Sequence, residues 1–179
     1  MLSVSQTATV TPPVSGRKAF PDLLHEHQGM VFSIAFHCLL DRAAAEEIAQ
    51  DVFLELYRRL ADLESDSHVL FWLRRVTSNR CIDYVRKRKL RATIALDAAP
   101  EPSVKAPEAD PFLQRKLWAV VASLPERQRV VTVLRYQEEM MPEEIARTLD
   151  MRVRTVKSHL SRSLASLREK LTRSMGSIR

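Results

Sequence analysis

Glycine is almost missing from this sequence: three residues in 179, one of them, Gly176, close to the end. Tight hairpins and phosphate-cradling loops need backbone conformations that glycine adopts freely and other residues adopt only under strain. A chain this poor in glycine is confined to architectures with few such turns, and the expectation is an all-α fold. The apolar pattern agrees. Phe20, Leu23, Leu24, Val31, Ile34, Ala35 and Cys38 recur at the three- and four-residue spacings of one helix stripe.

Asp41 is placed to cap a second helix that buries Ala45, Ile48, Val52, Phe53, Leu56 and Leu60. The polar stretch Asp62 to Ser67 ends it, and a third helix runs from about His68 to Lys89. These three helices define a first domain, 19–91, behind a disordered leader, 1–18, rich in Ser, Thr, Val and Pro. From 92 to 109 lie Pro100, Pro102 and Pro107 among Ala, Glu and Asp, a composition that buries no core and reads as a flexible linker. Asp110-Pro111, an N-cap acid with proline behind it, opens a second small helical domain, 110–173, followed by a short tail, 174–179. Pro125 restarts this domain as a helix carrying Val130, Val131 and Leu134. A short helix from Pro142 to Leu149, a turn at Asp150 to Val153 and a long helix with Val156, Leu160, Leu164, Leu167 and Leu171 on one stripe then make a helix-turn-helix.

Charge is distributed unevenly over this frame. The net charge of +6 and pI near 9.7 suit an anionic partner. Ala43 to Glu55 nevertheless carries Glu46, Glu47, Asp51 and Glu55 with no Lys or Arg, whereas Arg74 to Arg91 carries eight basic residues against the single acid Asp83. The last helix and the residues before it add Arg152, Arg154, Lys157, His159, Arg162 and Arg168, with hydroxyls at Thr155, Ser158 and Ser161. Long cationic chains reach phosphates, and short hydroxyls permit close approach to base edges. The longest apolar stretch, Met30 to Leu40, is too short to span a bilayer, so no membrane insertion is expected. The N-terminus lacks the positive start of a secretory signal. Cys38 and Cys81 fall within apolar helical patterns, as buried reduced thiols do. His25, His27, His37, Cys38 and Cys81 lack compact ligand spacing, and no residues assemble a nucleophile, a base and an oxyanion donor. Neither metal, cofactor nor catalytic residues are expected.

Five segments carry a family resemblance. Leu124-Pro125-Glu126-Arg127-Gln128-Arg129, Glu143-Glu144-Ile145-Ala146 and Thr155-Val156-Lys157-Ser158-His159-Leu160 resemble the fourth domain of extracytoplasmic-function sigma factors of RNA polymerase. Glu46 to Leu54 resembles the clamp-gripping helix of that family's second domain, and Phe71 to Val76 with Asn79 and Ile82 to Arg86 resembles its promoter-melting helix. Met141 and Asp150 depart from the family pattern, which favours a capping Ser or Thr at the first position and Gly at the second.

The resemblance implies a cytoplasmic sigma factor whose domains two and four bind core RNA polymerase and promoter DNA, with an anti-sigma factor as a further partner. By the same resemblance Glu47, Gln50, Asp51 and Glu55 contact polymerase. Asp66, Ser67, Trp72, Arg75, Asn79, Arg80, Asp83, Arg86 and Lys87 serve the minus-ten element, with Trp72 either a wall of a base pocket or a plain core aromatic. Arg152, Arg154, Thr155, Lys157, Ser158, Ser161 and Arg162 serve the minus-thirty-five element. In the free chain, family members commonly have their DNA-binding faces covered by domain packing or by the anti-sigma factor. The rival is a LuxR-type helix-turn-helix regulator, whose recognition helix is similar to Arg154 to Leu160 but which needs a receiver or ligand domain upstream.

Overall fold

The structure, a computed structural model, describes residues 18–94, 117 and 119–176. The leader up to residue 17, the linker beyond Ile94, the Asp110-Pro111 helix start and residues 177–179 lie outside the described residues. All regular elements among the described residues are helical: α1 (Phe20–Leu39), α2 (Arg42–Arg59), α3 (Asp66–Ile94), α4 (Glu126–Tyr136), α5 (Pro142–Thr148) and α6 (Val153–Gly176). A single 3-10 turn, Leu60–Asp62, follows α2, and residues 119–122 are helical ahead of α4.

Local chemistry sets most of the helix ends. The Asp41 side chain accepts from the Ala44 N–H at 3.1 Å and starts α2, as its position predicts. The polar stretch before α3 does more than separate helices. Ser65 accepts the His68 N–H on its hydroxyl at 3.2 Å and the Val69 N–H on its carbonyl at 2.9 Å, so α3 begins at Asp66, two residues earlier than its apolar stripe indicates. The helix also runs three residues past the expected boundary at Arg91, to Ile94. Leu60 was expected in the core, but it sits half-buried in the 3-10 turn, and Leu63 fills the buried position instead.

With so little glycine, three turns are made by residues that carry a Cβ. Leu40, Glu139 and Asp150 all adopt positive φ, at 55°, 51° and 52°, a conformation that costs an L-residue about 1–2 kcal/mol. At Leu40 the side chain is 2% exposed, so burial offsets the strain. Asp150 adopts the left-handed conformation that glycine usually supplies. Around it the Met151 N–H donates to Ala146 O at 2.8 Å and the Asp150 N–H to Arg147 O at 3.5 Å, the two bonds of a Schellman turn. Met141 lacks a capping oxygen, yet its N–H donates to the Glu144 carboxylate at 2.7 Å, one half of a capping box.

The stripe of α6 differs from the leucine spacing. Val156 is fully buried, but Leu164 is 45% exposed and Ser163 is buried in its place. Helical geometry gives the reason: at about 100° per residue, a seven-residue step returns to within about 20° of the same face, whereas two four-residue steps drift by about 80°. Ser163, seven residues after Val156, therefore points inward.

The two domains pack against each other, α1 and α3 meeting α4 and α3 meeting α5. One buried cluster runs from Leu23, Val31 and Ile34 through Val52, Leu56 and Leu73 to Val130, Leu134 and Ile145. Polar bonds pin the seam. The Arg129 guanidinium donates to Cys38 O at 2.9 Å, Lys89 pairs with Glu126 at 3.1 Å, and Arg74 lies 3.9 Å from Glu138. Burial raises the Glu138 carboxyl above the usual carboxylate range, and Arg74 opposes this only in part. Cys38 and Cys81 are free and buried; a hydrogen bond with Cys38, then burial, holds the Cys81 thiol well above its ordinary range.

Candidate functional site

The first set of candidates lies on α2. The stripe that buries Ala45, Ile48, Val52 and Leu56 turns Glu47, Gln50 and Asp51 to solvent and leaves Glu55 half-buried. Leu54, 55% exposed, shares this outward face, as its place off the buried stripe would have indicated. The run from Ala43 to Glu55 holds no Lys or Arg, which leaves the face expected to be bare of positive charge. That expectation is corrected: Arg80, from α3, donates to Asp51 at 2.9 Å and to Glu55 at 2.8 Å. Arg59 stands 3.5 Å from Glu55, and Arg42 pairs with Glu46 at 2.9 Å. Arg42 and Arg59 are i,i+4 neighbours on α2 itself, whereas Arg80 reaches the face only where α3 crosses α2, so a scan along α2 alone does not find it. The cleft between α2 and α3, about 500 Å³, is lined by Asp51, Leu54, Glu55, Arg58, Arg59 and Arg80.

The second set lies along α3. Arg75, Asn79, Asp83, Arg86 and Lys87 are exposed and recur at helical spacing, forming one row. Asp83 and Arg86 are 3.9 Å apart. Trp72, seven residues before Asn79, lies at the start of the row and is half-buried against the core. Asp66 stands at the helix N-terminus 3.5 Å from Lys18, and the Ser67 hydroxyl bonds to that of Ser65 at 3.0 Å. Arg80 is separated from the rest of its set by its commitment to α2. The opposite side of α3 presents Thr77, Ser78, Cys81 and Val85 to the core.

The third set opens α6. Arg152 O accepts the N–H groups of Thr155 and Val156 at 2.8 and 3.1 Å, so the helix starts at the turn's edge. Arg152, Arg154, Thr155, Lys157, Ser161 and Arg162 are exposed and Ser158 is half-exposed. Lys157 pairs with Glu143 of α5 at 3.2 Å. The Glu143 carboxyl is held below its ordinary range by hydrogen bonding from its own backbone N–H at the start of α5, then by Lys157. Burial, reinforced by the cations Arg162 and Arg127, lowers the basicity of His159. The α3 row and the α6 row are both exposed to solvent with the domains packed together. Among the described residues no group of three or more His, Cys, Asp or Glu is arranged to hold a metal, and no described helix is long and apolar enough to cross a membrane.

A helical protein with a basic helix-turn-helix in one domain and an acidic, partly apolar helix face in the other belongs to the DNA-binding transcription proteins. Family comparison narrows the class. Sigma-70 region 2 matches residues 23–91, and Sigma-70, region 4 matches residues 114–167. An RNA polymerase sigma-E factor of Streptomyces coelicolor is 34% identical, covering 85% of this chain and 85% of its own. The ECF RNA polymerase sigma factor SigW of Bacillus subtilis is 28% identical over 86% of this chain and 89% of its own. A longer relative, the probable RNA polymerase sigma factor RfaY of Xanthomonas campestris, is 29% identical over 87% of this chain, which spans 41% of that relative's length. A solved structure, the sigma factor RpoE in complex with the anti-sigma factor NepR from Bartonella quintana, shares the fold with a TM-score of 0.72 at 20% identity, over 86% of this chain and 96% of that one. The chain belongs to the sigma-70 family of RNA polymerase sigma factors, in its extracytoplasmic-function branch. The LuxR-type alternative falls, because the upstream half matches region 2 rather than a receiver or ligand domain.

Proposed function

We propose that this chain binds core RNA polymerase through the outward face of α2, reads and opens the minus-ten element with α3, and reads the minus-thirty-five element with the first turns of α6. The observation that carries the reading is the segregation of chemistry between helices. Glu47, Gln50, Asp51 and Leu54 form a mixed acidic and apolar face on α2, while Arg75, Asn79, Arg86 and Lys87 share an exposed face on α3. An acidic face suits a cationic partner helix of the polymerase clamp. The α3 cations suit duplex phosphates, and bases leaving the stack there cost about a few kcal/mol each, offset by a pocket around Trp72 and the loop 63–68. Arg154, Lys157, Ser158, Ser161 and Arg162 occupy the helix positions nearest base edges when a recognition helix enters the major groove.

In this reading the chain is an initiation factor rather than an enzyme and acts in the cytoplasm without a cofactor. An anti-sigma factor is a further partner, as for the Bartonella RpoE. Core polymerase with and without the protein, supplied with promoters from upstream of its own gene, is the test. Start-site-specific transcripts are expected only with the protein. The combined Asp51→Lys and Glu47→Lys variant is expected to lose both polymerase binding and transcripts; unchanged binding of that variant refutes the α2 assignment.

A further inference from the structure

Arg80 stands between the two surfaces that the functional reading separates. Its Cα belongs to α3, seven residues before Lys87, and seven residues return a helix to within about 20° of the same face. Arg80 is thus placed on the Asp83 and Lys87 edge of the exposed α3 row. Its guanidinium is nevertheless turned away, donating to Asp51 and Glu55 of α2 with separate nitrogens. These carboxylates lie within or beside the face assigned to polymerase. Both bridges are in partial contact with solvent, the Arg80 side chain being 36% exposed and those of Asp51 and Glu55 52% and 28%. Bridges of that exposure are individually weak and can be exchanged for another charged partner. Glu55 keeps Arg59, at 3.5 Å, when Arg80 leaves.

We propose that Arg80 is a DNA-positioning residue released by polymerase docking. A cationic helix seated on the α2 face competes for Asp51 and Glu55, and the freed guanidinium swings to the Lys87 edge of α3, where it takes up a phosphate of the promoter duplex. Polymerase binding is thereby coupled to DNA holding through one side chain, without any movement of the helices. In the free chain the same side chain is neutralised, which lowers the affinity of the α3 row for DNA in the absence of polymerase. The inference rests on the assignment of α2 to polymerase.

The full-length chain, free of polymerase, is titrated with a short labelled duplex of random sequence over a range of salt concentrations. Four proteins are compared: wild type, Arg80→Gln, Asp51→Asn with Glu55→Gln, and all three substitutions together. Each phosphate contact contributes about 0.9 to the slope of log affinity against log salt. Arg80→Gln is expected to leave the wild-type slope nearly unchanged. The Asn/Gln pair is expected to steepen it by about one contact, and Arg80→Gln in that background to remove the gain. Equal effects of Arg80→Gln in both backgrounds, or no effect in either, overturn the hand-over. Core polymerase binding of the Asp51→Lys, Glu47→Lys variant is measured alongside. Additive slopes with polymerase binding still dependent on Asp51 refute the role of Arg80 alone, whereas undiminished polymerase binding removes the trigger and refutes the functional reading with it.

Discussion

Replacing Arg129 by methionine tests whether the two domains are held together in solution as the structure has them. Arg129 is 6% exposed and reaches three carbonyls: Cys38 O at the end of α1, Leu124 O at 3.3 Å, and Ala122 O. Two of these belong to its own domain and one to the other. Hydrogen bonds from a charged donor are worth about 1.5–3 kcal/mol each, so the gross loss is about 4–9 kcal/mol. Burial disfavours the charge on Arg129, and its removal returns a desolvation cost of several kcal/mol. Methionine keeps the apolar stem in place. The net loss is then about 2–4 kcal/mol, and for a chain of this size each kcal/mol lowers Tm by about 2–4 °C. Thermal unfolding followed by circular dichroism should show a fall of roughly 5–15 °C, with Arg129→Lys, which cannot reach all three carbonyls, in between. A fall of less than about 2 °C would mean that water already serves these carbonyls, and the contribution assigned to Arg129 at the seam would be refuted.

In the helix-turn-helix, Arg154→Ala or Arg162→Ala should cost about 1–3 kcal/mol at one upstream promoter position, while Arg168→Ala weakens all promoters alike; transcription from randomised minus-thirty-five elements separates the two patterns. Glycine at Glu139 or Asp150 should raise stability by up to about 1 kcal/mol, read from denaturant midpoints, because φ is positive at both. Burial depresses the basicity of His27 and His37, so the unfolded chain binds more protons than the folded one below the ordinary histidine range. Stability should therefore hold at neutral pH and fall as pH drops through that range, and His27→Gln should blunt the fall in Tm between pH 7.5 and 5.5.

The helices were legible because their apolar residues repeat with the period of the backbone, and the cap at Asp41 because a short polar side chain reaches an N–H three residues on; the left-handed turn at Asp150 was not, since the family pattern places glycine there. Position on α6 was legible only approximately. Reading leucines as the stripe passed over Ser163, since the inward face is fixed by angle rather than by residue type. The helix-turn-helix candidates Arg154 and Arg162 were found for the same local reason, being off-stripe cations in the opening turns. Arg80 was named among the α3 cations, but its bonds to α2 were not legible, because its partners are 29 and 25 residues away and meet it only where α2 crosses α3. The bond from Arg129 to Cys38 spans 91 residues, and nothing in the motif around Arg129 names a carbonyl in the other domain.

Lys89 facing Glu126 and Arg74 facing Glu138 mean that each domain carries half of a charge code whose other half lies in its companion. Exchanging one domain for that of a relative would separate these partners. In this protein such a graft would bring together surfaces selected apart: a half-buried carboxylate at 138 without its cation, or Lys89 without Glu126. Compatibility at the seam, as much as the choice of DNA sequence, then limits which halves can be inherited together.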